Sequence, residues 1–172
     1  KAVRDYVMSN INWECEVKTL FRNKNLGCGK AVSQAITWFF EHEEMGIILE
    51  DDCFPSIAFF EFCERMLEYY KNDSRIMMIT GTNYMVDIRD KIGKDYFFSK
   101  HHFTIWGWAT WRRAWEKYDF EMKVWRRNIH TKDLRFLSDK KYIIKYYEYT
   151  FDLLYFKKID TWDIQWFFTC IM

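Results

Sequence analysis

Glu50, Asp51 and Asp52 stand in a row directly after the apolar run Ile47-Ile48-Leu49. A short buried strand reads this way, with its polar end delivered to an edge of the sheet. Three adjacent carboxylates repel one another. At the mouth of an apolar strand they also lose solvation, which favours protonation unless a cation or hydrogen-bond donors compensate. A divalent metal meets that need: hard oxygen ligands suit Mn²⁺ or Mg²⁺, which keep several waters and take substrate phosphates. The same stretch also reads as a solvated acidic turn after a core strand. Two other places carry chemistry. Asp163 sits in Thr161-Trp162-Asp163-Ile164-Gln165-Trp166, where a helix N-terminus would stabilise its charge. Trp106-Gly107-Trp108 offers two rings that fit either sugar stacking or a core around a glycine turn. The neighbouring His101 and His102 point apart and make a poor chelating pair.

The elements around these groups can be read in part from periodicity. Residues 3–9 read as the end of a helix. Residues 14–21 alternate, with Cys15, Val17 and Thr19 against Glu14, Glu16 and Lys18, which is strand-like. Residues 23–29 form a turn-rich loop. Its Gly29-Lys30 pair is no phosphate loop, because the earlier glycine is absent and Ala31 follows the lysine. Residues 30–43 are helical, with Val32, Ile36, Phe39 and Phe40 on one face. The strand at 45–49 follows, and Pro55-Ser56 opens a helix reaching about residue 71. Residues 75–80 read as a second buried strand ending at Gly81-Thr82-Asn83. Further on, 95–99 reads as a short strand, 101–108 as an aromatic loop and 109–118 as a short helix. A longer helix over 140–158 carries Ile143, Tyr146, Tyr147, Phe151 and Leu154 on one face, and Thr161 is positioned to cap a final apolar helix. The order strand, helix, strand, helix, strand predicts an α/β fold with parallel strands. Ligands in such sheets sit beyond the carboxyl ends of the strands, where Glu50, Asp51, Asp52 and Asn83 lie.

The 172 residues suit one domain with a hydrophobic core. Twenty-six basic against twenty-five acidic residues leave a net charge of +1, so no charge excess points to nucleic acid or an anionic membrane. An aromatic share of 21% predicts a thick core, a sugar-stacking surface or a face for another domain. No apolar run has the length to cross a membrane, and no signal peptide is evident. Cys15, Cys28, Cys53, Cys63 and Cys170 show neither a CxxC pair nor zinc spacing, which favours reduced thiols in a cytosolic protein. The opening Lys1 and the apolar end at Met172 predict an excised fragment of a longer polypeptide.

Asn25-Leu26-Gly27 leading a helix, followed by Gly46-Ile47-Ile48-Leu49-Glu50-Asp51-Asp52, resembles the nucleotide-sugar glycosyltransferases of the GT-A fold. Within them the chain is most similar to the N-acetylglucosaminyltransferase I group and its bacterial relatives, where this strand ends in Glu-Asp-Asp, a variant of the DXD motif. Phe59-Phe60-Glu61-Phe62 resembles the opening of that group's next helix. Trp106-Gly107-Trp108-Ala109 with Trp115 resembles its Gly-Trp segment near the acceptor, and Trp162-Asp163-Ile164-Gln165-Trp166 its Trp-Asp-x-x-Trp segment. The resemblance implies a GT-A-like, mostly parallel sheet flanked by helices with its N-terminal strand missing. It implies a single domain over 1–172, with a metal and donor half at 1–90 and an acceptor half at 91–172. It also implies residue roles: Asp52 on Mn²⁺ (or Mg²⁺), Glu50 on the donor sugar, Asp51 on the ribose, Asn25 and Gly27 in the donor loop, Trp106 and Trp108 against the acceptor sugar, and Asp163 as the base.

The expected function is therefore transfer of a sugar from a nucleotide-diphosphate donor, a UDP-sugar in preference, to a glycan or other hydroxyl acceptor, with inversion. Such an enzyme would work in the cytoplasm or at the inner face of the membrane. Two other readings compete. A catalytically degenerate GT-A domain would bind a glycan or a protein through its aromatic surface. A nucleotidyltransferase would need a glycine-rich basic loop near its start, which is not seen.

Overall fold

The computed structural model describes residues 2–82, 84, 96–100, 103–128 and 131–172. The expectations at Asn83, His101, His102 and Asp95 lie outside them; the rest of the strand expected over 95–99 is described and forms no strand. The elements in chain order are α1 (Ala2–Asn10), α2 (Cys28–His42), β1 (Met45–Ile48), α3 (Ile57–Tyr69), β2 (Ile79–Thr80), β3 (Trp108–Trp111), α4 (Arg112–Trp115), α5 (Lys123–Asn128), a 3₁₀ turn (Thr131–Phe136), α6 (Lys141–Tyr155) and α7 (Asp163–Ile171).

The expected mostly parallel sheet is not what forms. The sheet has three strands in the order β1-β3-β2, and both of its pairings are antiparallel. Met45 pairs with Trp111 and Ile48 with Trp108, while Ile79 pairs with Ala109. β1 and β2 do run in the same direction, as a strand-helix-strand unit requires. The late segment Trp108–Trp111 enters between them and runs the opposite way. This segment was expected as a loop followed by a helix. Trp108, Trp111 and Trp115 are spaced by three and four, which imitates a helical stripe. In fact every β3 residue is buried, so the strand shows no inside-outside alternation to reveal it.

The sheet is covered on both faces. Ala109 and Trp111 pack with Cys63 and Leu67 of α3 and with Ile79. Trp108 packs into a second cluster with Ile36 and Phe40 of α2, Trp115 of α4, and Trp162 and Trp166. Beyond it, α5, α6 and α7 share a helical core around Met122, Trp125, Phe151, Phe167 and Phe168. The connections are pinned by side chains on backbone carbonyls. Trp111 Nε1 donates to Leu67 O at 3.0 Å, and the Arg113 guanidinium donates to Lys71, Ile76 and Tyr70. α3 starts at Ser56, whose hydroxyl accepts from Phe59 N at 3.3 Å. A cap of this kind contributes about 1 kcal/mol.

Two shorter expectations are also corrected. Residues 14–21 alternate in type but form no strand, because no described edge pairs with them; Val17 and Phe21 are exposed. The strand expected over 75–80 is reduced to Ile79–Thr80.

Candidate functional site

β1 and β2 run in one direction, so their carboxyl ends reach one edge of the sheet, where β3 begins. Gly81 N donates to Gly107 O at 3.2 Å, and the Thr82 hydroxyl donates to Trp106 O at 2.8 Å. These bonds tie the end of β2 to the start of β3. On the other side of β3, the chain leaving β1 turns at Glu50, where Cys53 N donates to Glu50 O at 3.1 Å. Asp51 and Asp52 are exposed on that turn, and Glu50 is half-buried. The Cys53 thiol lies against Asp52 Oδ1 at 3.8 Å.

Asp163 is the first residue of α7, where the helix dipole favours a negative charge. The expectation that the Thr161 hydroxyl caps this helix is corrected: the N-cap is Trp162 and no side chain caps it. Thr161 instead donates its hydroxyl hydrogen to Asp163 Oδ1. Trp162 is buried and stacks on Trp108 with ring centroids 5.7 Å apart, and its carbonyl accepts from the Tyr118 hydroxyl at 3.0 Å. Asp163 therefore leaves a firmly held backbone. It lines two adjoining clefts. The first, about 160 Å³, is bounded by Tyr84, Phe103, Thr104, Ile105, Trp106 and Asp163. The second, about 190 Å³, runs along α6.

Residues far apart in the sequence come within electrostatic reach of one another here. Burial pushes the Glu50 carboxyl above its ordinary range, and the charges of Asp52, Asp163 and Asp51 push it further. Burial likewise raises the Cys28 thiol, with Glu50, Asp160 and Asp163 adding to the shift. So Glu50, Asp163, Asp160 and Cys28 share one electronegative neighbourhood. Among the described residues no lysine or arginine forms an ion pair with any of these carboxylates.

The sequence-expected residues do not all meet. Trp106 is 62% exposed and lines the cleft with Asp163. Trp108 is 0% exposed, so it offers no face to a sugar and belongs to the core. Asn25 and Gly27 sit at the start of α2 without an open phosphate cradle. Asn25 Oδ1 accepts from Gly27 N at 2.8 Å. The helix N-terminus beyond is filled by the chain's own Asp160, whose Oδ1 accepts from Gly29 N at 3.0 Å. A Cβ on Gly27 would fall 2.2 Å from Asp160 Oδ2, and Gly27 adopts φ +79°. A donor phosphate at this end of α2 would have to displace Asp160.

Asp160 is the residue that sequence reading missed. It lies 131 positions from Gly29. Its one signal is the Gly27-Cys28-Gly29 pattern, which marks a close approach by something else. Phe103, Tyr84 and Tyr146 were also missed as lining residues, since each also reads as an ordinary aromatic of a loop or helix face.

A divalent metal fits this donor set only in a limited form. Among the described residues no three His, Cys, Asp or Glu side chains converge on one point. The exposed Asp52 carboxylate supplies a single hard oxygen donor. A cation there would take its remaining ligands from phosphate oxygens and water, as Mg²⁺ and Mn²⁺ commonly do. No helix among the described residues is long and apolar enough to cross a membrane. Compared with known proteins, the chain matches no family model, no curated protein and no solved structure.

Proposed function

We propose that the chain is a metal-dependent glycosyltransferase that moves a sugar from a nucleotide-diphosphate donor, a UDP-sugar in preference, to an acceptor hydroxyl with inversion. The reading is supported by one observation above others. Asp163 lines a cleft with the exposed ring of Trp106, and the acidic turn after β1 lies within electrostatic reach of it.

In this reading Asp163 accepts the proton of the acceptor hydroxyl as that oxygen attacks the anomeric carbon. A carboxylate suits the task when it is held within hydrogen-bond reach of the hydroxyl, and the fixed Trp162 backbone provides that holding. Trp106 positions the acceptor ring. Glu50 and Asp51 hold the donor, and Asp52 is the protein ligand of Mn²⁺ or Mg²⁺. The cation, when bound, offsets the charge that develops on the leaving diphosphate. The base comes from α7 and the donor ligands from the β1 turn, and a single displacement requires the two to address opposite faces of the transferred sugar.

Calorimetry with UDP and Mn²⁺ tests the donor side. Binding is expected, and Asp52→Ala should abolish it; unchanged binding in that variant overturns the metal assignment. For Asp163→Asn, turnover should fall by about 10²–10⁴ while UDP affinity persists. Loss of both together would mark Asp163 as structural. A second reading, a glycan-binding module without catalysis, is favoured by the exposed aromatic ring of Trp106 beside the cleft. It predicts glycan retention with no UDP binding at any metal concentration.

A further inference from the structure

The cleft along α6 has no part in the scheme above. It is bounded by Phe103, Tyr146, Tyr147, Thr150, Asp163, Ile164 and Phe167. Phe103 and Asp163 line both clefts, so the two adjoin at the proposed base. Each alone, about 160 Å³ and about 190 Å³, is smaller than the roughly 300 Å³ at which small-molecule sites begin. Their chemistry is also alike. Aromatic faces, hydroxyl groups and one carboxylate line both, and among the described residues no lysine, arginine or histidine does. A phosphate, uronate or sialate would meet the Asp163 carboxylate with no compensating cation among the described lining residues. A neutral sugar would find flat rings for its apolar faces and hydroxyls for its rim. Tyr146 is 62% exposed, and Tyr142 and Tyr149 stand on the same face of α6 at spacings of four and three, both mostly exposed.

We propose that the α6 cleft is a second sugar subsite, and that the acceptor is a neutral glycan of at least two rings running from Trp106 past Asp163 onto Tyr146. The assignment of this glycan as acceptor rests on the sugar-transfer reading; the binding of a neutral glycan does not. Trp106 holds the ring that carries the reacting hydroxyl. Tyr146 holds a neighbouring ring that takes no part in the chemistry.

The test is an array of neutral and acidic glycans, from monosaccharides to hexasaccharides, probed with the full chain, followed by calorimetry on the retained compounds. Neutral chains of two or more rings should bind at least about tenfold tighter than their terminal monosaccharide. Tyr146→Ala should bring the longer chains down to the monosaccharide's affinity, and Tyr146→Phe should keep the increment. Equal far-UV circular dichroism establishes that the exposed substitution leaves the fold intact. The proposal is overturned by affinity independent of chain length, by preference for acidic glycans, by retention of no neutral glycan, or by an increment that survives Tyr146→Ala. UDP binding with Mn²⁺ is measured on the same samples. Length-dependent glycan binding without UDP binding would overturn sugar transfer and leave the second subsite standing. UDP binding without the length increment would do the reverse.

Discussion

Trp106 and Trp108 are separated by one glycine, and they belong to regions built in opposite ways. Trp108 starts β3 at 0% exposed, in a cluster with Trp115, Trp162 and Trp166. Trp106 stands 62% exposed at the rim, in a cleft with the Asp163 carboxylate, which forms no ion pair among the described residues. The core region is buried and held by ring contacts such as Trp115 on Trp166 at 5.0 Å. The rim is polar and open. Asp163 belongs to both, because it follows Trp162 directly and inherits the rigidity of the core while its carboxylate reaches the rim. Asp51 and Asp52 have no such anchor and stand exposed on a four-residue turn closed by one backbone bond. The contrast teaches how the labour is divided. Under the proposed sugar transfer, Asp163 would be set in place before any ligand arrives, which is what proton transfer requires. The acidic turn would be left adaptable, to be ordered by the cation and diphosphate that the proposal assigns to it.

The largest expected effect comes from removing the link between the two regions. Trp162→Ala takes a fully buried ring out of the cluster and should cost about 3–5 kcal/mol in chemical denaturation. A loss below about 1 kcal/mol would show that the cluster does not hold Asp163. A smaller effect is expected at the second link, the contact between α2 and the segment before α7. Gly29→Ala would ordinarily favour a helix. Here the new Cβ would lie 2.6 Å from Thr161 O and 2.7 Å from Asp160 Oδ1, so backbone must move. Overpacking of this kind costs about 1–3 kcal/mol. The displaced segment carries Asp163, so turnover should fall more than stability alone explains. A Gly29→Ala variant that gains stability would break the assigned contact.

Legibility in the sequence follows the same division. Amphipathic helices with one exposed face showed their period, so α2, α3 and α6 could be placed from residues such as Ile36, Cys63 and Phe151. The acidic turn could be placed at a strand end because three apolar residues run straight into three carboxylates. β3 could not be read, since a strand buried on both faces has no polar side to mark its period, and its tryptophans fall at helical spacing. The antiparallel order was hidden for the same reason: the strand that separates β1 from β2 comes from a later part of the chain. Asp160 was invisible because its partner, Gly29 N, is a backbone group far away in sequence. For the two tryptophans, residue type was readable and burial was not. Rim or core is decided by which side of Gly107 lies in the sheet, and Gly107, at φ +75°, is where the chain turns in.

The smallest effect on stability is expected at Trp106, and it is the sharpest test of the comparison. An exposed side chain away from packed contacts changes stability by no more than about 0.5 kcal/mol when replaced. The Thr82 hydroxyl donates to the backbone oxygen of this residue, a bond that survives substitution of the ring. Trp106→Ala should therefore melt with the parent protein, in contrast to Trp162→Ala. Its functional effect should be the larger one. Loss of a stacking ring at the acceptor should lower kcat/KM by about tenfold or more, close to 1.4 kcal/mol of transition-state binding. Most of that loss should enter through KM, because the base and the donor ligands remain in place. UDP binding measured by calorimetry should not change. If Trp106→Ala instead lowers the melting temperature as Trp162→Ala does, the ring is part of the core and the rim reading of this cleft fails. If it leaves both stability and acceptor affinity untouched, the acceptor lies elsewhere, and Asp163 loses its assigned partner in the cleft.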